Sequence, residues 1–404
     1  MQKLFQKISK NSIFGCIAAL SIFLSIFGIA YASVLIDDLE LPPYMAVTTV
    51  PQIASDYTKD AASDTYIDRQ WGIDDTNLDV VWNTFRSQLE DPDLDEEVYV
   101  VVIDDVINMV HEDLSGTNTG KPFVRLGYDV ERDKELVGVY VHMGVDENGD
   151  PAVVTELVAA DDWKEKCDIT GSDYSKILHG SHIAGIVGAR HNTGGIAGCN
   201  PGVKIIPIMA GSIYETKAYD WVLGDLTTLL RLRTGSDPRI IIQLSRGPLS
   251  GIGTDYDTYV VQKDLYNYTR LSDAGILIVH AAGNSAADLH DGLWEDADGN
   301  PVTIMPACAG ISADNVLTAA NHDRYRNLNG GSNYSTAGST AQVHISAPGT
   351  AILSIGRPGE YFSSTGTSMA APFVSGTAAL LWQLFPDATA AEIRELILEG
   401  AKVS

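Results

Sequence analysis

Six short runs of aliphatic and β-branched residues recur along the 404-residue chain: Val98–Ile103, Val203–Ile208, Ile240–Leu244, Ile276–Val279, Val316–Ala319 and Val343–Ile345. A strand with one wet face alternates apolar and polar residues. These runs are apolar at nearly every position, so as strands they need cover on both sides of the pleat. Helix-like stretches lie between several of them, and strands alternating with helices build a parallel sheet. The predicted fold is therefore α/β, three layers with a mostly parallel central sheet and helices on both faces. Hydrophobic residues make up 45% of the chain, enough to fill the core of one large domain or two ordinary ones.

The segment from about Glu131 to Tyr174 departs from this pattern. Val137–Met143 and Val153–Val158 flank Asn148-Gly149 in the manner of a β-hairpin, and residues 131–174 are read as a surface insertion. Residues 33–66 are rich in Asp, Thr, Ser, Pro and Ala with little periodicity, which suits a leader, a linker or a short propeptide. The globular domain is taken to span 67–404. Near its start, Asp75-Thr76 offers helix caps before an amphipathic stretch containing Val80, Val81, Trp82, Phe85 and Leu89.

At the amino end, Lys3, Lys7 and Lys10 precede an apolar run from Ser12 to Ala30, followed by Ala30-Tyr31-Ala32-Ser33. Basic, apolar and then small residues make a signal peptide over residues 1–32, and its removal would leave a secreted or periplasmic protein. The apolar run also approaches the length of a bilayer span, so membrane association is expected only if this segment is retained. A net charge of −26 makes nucleic acid and anionic membrane surfaces unfavourable partners. Beyond the signal the cysteines are Cys167, Cys199 and Cys308, scattered and without a Cys-x-x-Cys, which fits neither a disulfide scaffold nor a zinc module.

Chemistry concentrates in Gly366-Thr367-Ser368-Met369-Ala370-Ala371-Pro372, which opens a small-residue helix. A proline is best tolerated near a helix start, so Ser368 falls in the first turn, where free N–H groups favour a developing oxyanion. By itself such a serine is a cap; the company it keeps decides otherwise. His179-Gly180-Ser181-His182-Ile183-Ala184-Gly185 supplies a base, with His179 the base and His182 a packed neighbour. A zinc reading of this His-x-x-His would need a third ligand and the Glu-containing helical motif. Asp104, at the end of the first apolar run, is placed to hold the imidazole.

In these segments the chain resembles the subtilase family of serine proteases, over roughly Gln70 to Gly400. The Asp motif is Val102-Ile103-Asp104-Asp105 running on to His111-Glu112-Asp113-Leu114; the His and Ser motifs are those just given. The resemblance implies a subtilisin-like fold and a serine endopeptidase with the triad Asp104, His179 and Ser368, acting on proteins or peptides and needing no cofactor for its chemistry. It further implies that Asn284, in Ala281-Ala282-Gly283-Asn284, donates to the oxyanion. Ser245 and Gly247 would border the groove for an extended substrate. Asp105 has a counterpart in the kexin-like branch, where it faces a basic substrate side chain. The loop Arg190–Ile196 together with Asp113 and Asn192 is compatible with a structural calcium ion. A lipase or esterase of the α/β-hydrolase kind would place its serine in Gly-x-Ser-x-Gly and ahead of the acid and the base; Ser368 comes last.

Overall fold

The structure, a computed structural model, describes residues 64–90, 97–104, 107, 111–115, 126–130, 134–137, 139–145, 151–157, 174–191, 194–210, 215–245, 266–289, 293–295, 301–303, 315–335, 343–356 and 360–401. Its strands are β1 (Val98–Asp104), β2 (Leu126–Asp129), β3 (Lys134–Val137), β4 (Val139–Val145), β5 (Pro151–Leu157), β6 (Lys204–Met209), β7 (Arg239–Leu244), β8 (Leu277–Ala281), β9 (Leu293–Glu295), β10 (Pro301–Thr303), β11 (Val316–His322), β12 (Ile345–Pro348), β13 (Ile352–Ile355) and β14 (Tyr361–Ser364). The helices named below are α1 (Trp71–Thr76), α2 (Leu78–Glu90), α3 (Glu112–Ser115), α4 (Tyr174–Gly188), α5 (Glu215–Trp221), α6 (Thr227–Thr234), α7 (Thr367–Leu384) and α8 (Ala390–Gly400).

Eight strands form the main sheet in the order β12-β11-β8-β7-β1-β6-β2-β3. Every neighbouring pair is parallel except β2 with β3. Successive residues of β1 explain why the strands are so apolar. Val98, Val100 and Val102 enter one core with α1, α2, α4, α7 and α8. Tyr99, Val101 and Ile103 enter a second core with α5 and α6 on the other face. The protein is therefore α/β, a mostly parallel sheet with helices on both sides. Asp104 has the parity of Val102 and lies on the face packed by α4 and α7.

Three details differ from the sequence expectations. Asp75-Thr76 does not cap the amphipathic helix; it ends α1, and Asn77 with φ 53° breaks the chain before α2 begins at Leu78. Asn tolerates this left-handed backbone better than most residues, so the break falls at Asn77. The hairpin is present, but its register joins Val139–Val145 to Pro151–Leu157. Val137, expected in that hairpin, lies instead in β3 at the edge of the main sheet. Finally, the run beginning at Val343 enters the sheet two residues later, as β12.

Candidate active site

β1 lies at the middle of the sheet, with β6 on one side and β7 on the other, so the chain's route diverges at its carboxyl end. Crevices at such points are the ordinary binding sites of open α/β sheets. Asp104, the last residue of β1, is fully buried and pairs in register with Met209 of β6. His179 projects from α4, which packs on β1, and its Nδ1 lies 2.9 and 3.1 Å from the two carboxylate oxygens of Asp104. An ionised carboxylate can only accept, so Nδ1 carries a proton. The neutral imidazole then keeps its lone pair on Nε2, the orientation a general base needs.

His182 plays no part in this pair. Its Nε2 donates to the carbonyls of Ile352 and Phe362, at 3.0 and 3.2 Å, and burial lowers its pKa to about 4. Three residues along the helix from His179, it is a neutral packed residue, as the sequence reading expects.

Ser368 is the second residue of α7 and half-buried. The first-turn donors of this helix can be followed one by one. Gly366 N–H donates to Gly349 O, Thr367 N–H to Asn284 Oδ1 at 2.8 Å, and Met369 N–H to Gly366 O. Among the described residues, this leaves Ser368 N–H as the first-turn donor available to a ligand. The exposed Asn284 follows β8 and its Oδ1 also accepts from Thr367 Oγ1, at 3.1 Å. With two donors on Oδ1, the amide orientation is settled and Nδ2 remains the outward donor. Gly283 N–H donates in turn to Thr367 Oγ1 at 3.0 Å. Thr367, which the sequence reading passed over as part of a motif, is thus what orients Asn284.

Pro372 has a consequence that only the structure shows. It is the sixth residue of α7, and without an N–H it cannot donate to the carbonyl of Ser368 four residues earlier. Ser245 fills the gap: its Oγ donates to Ser368 O at 2.8 Å, while Ser368 Oγ donates back to Ser245 O at 2.9 Å. Behind it, Gln243 Nε2 donates to Ser245 Oγ at 2.8 Å and Ser375 Oγ to Gln243 Oε1 at 2.7 Å. The hydroxyl of Ser368 is therefore turned toward Ser245, at the carboxyl end of β7. A hydrogen bond between nucleophile and base often closes only once substrate is bound.

The remaining expected residues are less completely described. Gly247, Asp105 and Asn192 lie outside the described residues. Asp113 is buried, with one carboxylate oxygen accepting Ile196 N–H at 3.1 Å. Cys199 is a buried free thiol in contact range of a Cβ at position 376.

A model described as the subtilase family matches residues 95–404. The minor extracellular protease Epr of Bacillus subtilis is 33% identical over 218 residues, 54% of this chain and 28% of that protein. An extracellular protease of Xanthomonas campestris is 27% identical over 397 residues, 92% of this chain and 58% of that protein. The subtilisin-like protease 1 of Plasmodium berghei is 25% identical over 84% of this chain and 51% of that protein. The match thus spans between about a quarter and three-fifths of these relatives' lengths. A crystal structure of a cold adapted subtilisin-like serine proteinase aligns over 76% of this chain and 82% of its own, with a TM-score of 0.46 and 21% identity. Since the family model covers well over half of the chain, and the strands and helices just described all lie within or beside that stretch, the chain belongs to the subtilase family.

Proposed function

We propose that the protein is a serine endopeptidase that hydrolyses peptide bonds through an acyl-enzyme on Ser368. The observation that carries this reading is the pinning of His179 Nδ1 by both oxygens of the buried Asp104, which fixes the tautomer with its lone pair on Nε2, the one a general base uses. In the reaction, His179 Nε2 takes the proton of Ser368 Oγ as that oxygen attacks the substrate carbonyl carbon. The carbonyl oxygen becomes an oxyanion, held by Ser368 N–H and Asn284 Nδ2. The intermediate collapses, the C–N bond breaks, and His179 returns the proton to the leaving amine. Water, deprotonated by His179, then attacks the acyl ester and releases the acid, restoring Ser368. The carbonyl of Ser245 holds the Ser368 hydroxyl between turnovers.

Substrates are proteins or peptides bound extended beside β7, with Ser245 and Gly247 along the groove and Asp105 facing a basic side chain. Export after loss of residues 1–32 accords with the extracellular proteases among the relatives. Among the described residues no helix is long and apolar enough to cross a membrane. Calcium has no place in the chemistry. Of the residues expected to hold a structural calcium ion, Asn192 lies outside the described residues, while Asp113 accepts Ile196 N–H and the Gly195 carbonyl accepts Tyr66 N–H. Among the described residues no group of three or more His, Cys, Asp or Glu could hold a metal ion.

The test is covalent labelling with a serine-directed fluorophosphonate, together with hydrolysis of an unstructured protein. Wild type is expected to label and cleave, Ser368→Ala to do neither, and Asp104→Asn to cleave roughly four orders of magnitude more slowly because the imidazole loses its tautomer. Labelling that persists in Ser368→Ala would overturn the assignment.

A further inference from the structure

We propose that Asn333 is a positioning residue for the oxyanion donor Asn284, acting through the turn that carries it; this rests on the reading of the site given above. Asn284 stands on an irregular turn, 282–287, between the end of β8 and an isolated bridge at Asp288. Such a turn has no ladder to hold its peptide groups, yet an oxyanion donor must be held to a fraction of an ångström.

Asn333 supplies the missing framework. It is fully buried, on a loop beyond β11, and it bonds to the turn on both sides of Asn284. Before Asn284, its Nδ2 donates to Ala282 O at 2.8 Å and its main-chain N–H to Gly283 O at 2.9 Å. After Asn284, its Oδ1 accepts from Ser285 N–H at 2.9 Å and from Ala287 N–H at 3.0 Å.

The turn's shape depends on that oxygen. Gly283 has φ 99° and Ala286 has φ 53°, and a left-handed residue makes flanking N–H groups converge on one acceptor. An alanine keeps such a conformation only where its surroundings impose it. Ala286 N–H donates to Gly331 O and Tyr334 N–H to Ala287 O, so residues 331–334 back the whole turn. At position 333 the task needs an acceptor for two N–H groups and a donor for one carbonyl on the same short side chain, which an amide provides. Thr367 orients the Asn284 amide from one side, and Asn333 sets the main chain from which that amide projects.

A displaced oxyanion donor weakens the transition state more than the bound substrate, so the effect belongs in kcat. The experiment measures kcat and KM for peptide hydrolysis in Asn333→Ala and Asn333→Asp, each alone and combined with Asn284→Ala, with folding followed by circular dichroism. Asn333→Ala is expected to lower kcat by about ten-fold or more while KM stays within about two-fold. In the Asn284→Ala background the same substitution is expected to change kcat little, because the group it positions is gone. Asn333→Asp keeps the acceptor for Ser285 and Ala287 and is expected to recover part of the loss; if the alanine variant fails to fold, the aspartate variant carries the same comparison. Equal fold losses in both backgrounds, or unchanged kcat in a folded variant, would overturn the proposal while leaving the peptidase reading standing. A wild type that cleaves nothing would sink both.

Discussion

Ser245 shows how much a single hydroxyl can be asked to do. Pro372 removes one helix donor, and the orphaned Ser368 carbonyl takes the Ser245 hydroxyl in its place, with Gln243 and Ser375 completing the chain behind it. Ser245 is buried, so truncating it leaves the Ser368 carbonyl and the Gln243 amide without a partner. Ser245→Ala is expected to destabilise the fold by about 1–3 kcal/mol. Urea unfolding measures this directly, and an unchanged midpoint would mean that water replaces the hydroxyl at no cost. At this scale the residues of the proposed triad are legible in sequence because each sits in a contiguous run with its own chemistry. Ser245 is legible only as a groove residue; its bond to Ser368 spans 123 positions and follows from a proline's missing proton.

At the scale of elements, the site depends on how closely α7 approaches α4 and the loop after it. Gly376 is the contact: a Cβ there would lie 2.5 Å from Cys199 Cβ and 3.1 Å from Val187 O. One neighbour is main chain and cannot rotate away. Gly376→Val is expected to cost at least about 1–3 kcal/mol through overpacking, and to slow fluorophosphonate labelling by shifting Ser368 relative to His179. A melting temperature and labelling rate equal to wild type would show that the two helices can separate without penalty. Six of the eight strands of the main sheet are readable because cover on both faces demands apolar residues at nearly every position; β2 and β3, at one edge, carry no such run. Helix boundaries were not: Asp75-Thr76 has the composition of a cap, but the left-handed Asn77 two residues later decides where the chain turns. Asp75 instead accepts from His322 and Arg326, tying α1 to the end of β11.

For the whole molecule, four histidines link stability to pH. Burial lowers the pKa of His182, His191 and His344 from 6.5 to about 4 each, and that of His280 to about 3. The folded protein holds these imidazoles neutral, for instance with His344 Nδ1 accepting Thr318 N–H at 2.9 Å. Between those values and 6.5 the unfolded chain binds more protons than the folded one, so stability rises with pH across that window. It is fully present above 6.5, is lost as pH falls toward 4, and falls no further from these three groups below that. The expected outcome is a melting temperature that drops steadily from pH 6.5 to 4, with a shallower slope in His280→Gln. A melting temperature flat across this range would show that the buried imidazoles take up protons without cost.

By itself the sequence determined the α/β class, six of the eight strands of the main sheet to within about three residues, and Asp104, His179, Ser368 and Asn284 as the candidate groups. These follow from local properties: burial on both faces writes apolar runs, and a helix that must pack closely from its first turn writes its own small-residue motif. Only the tertiary structure decided how those groups are held. Thr367 orients Asn284, Asn333 braces its turn from 46 to 51 positions away, and Gln243 and Ser245, at the end of β7, hold Ser375 and Ser368 of α7. Hydrogen bonds between distant segments leave no periodicity and no spacing in a chain, because their partners become neighbours only when the strands between them are stacked in order.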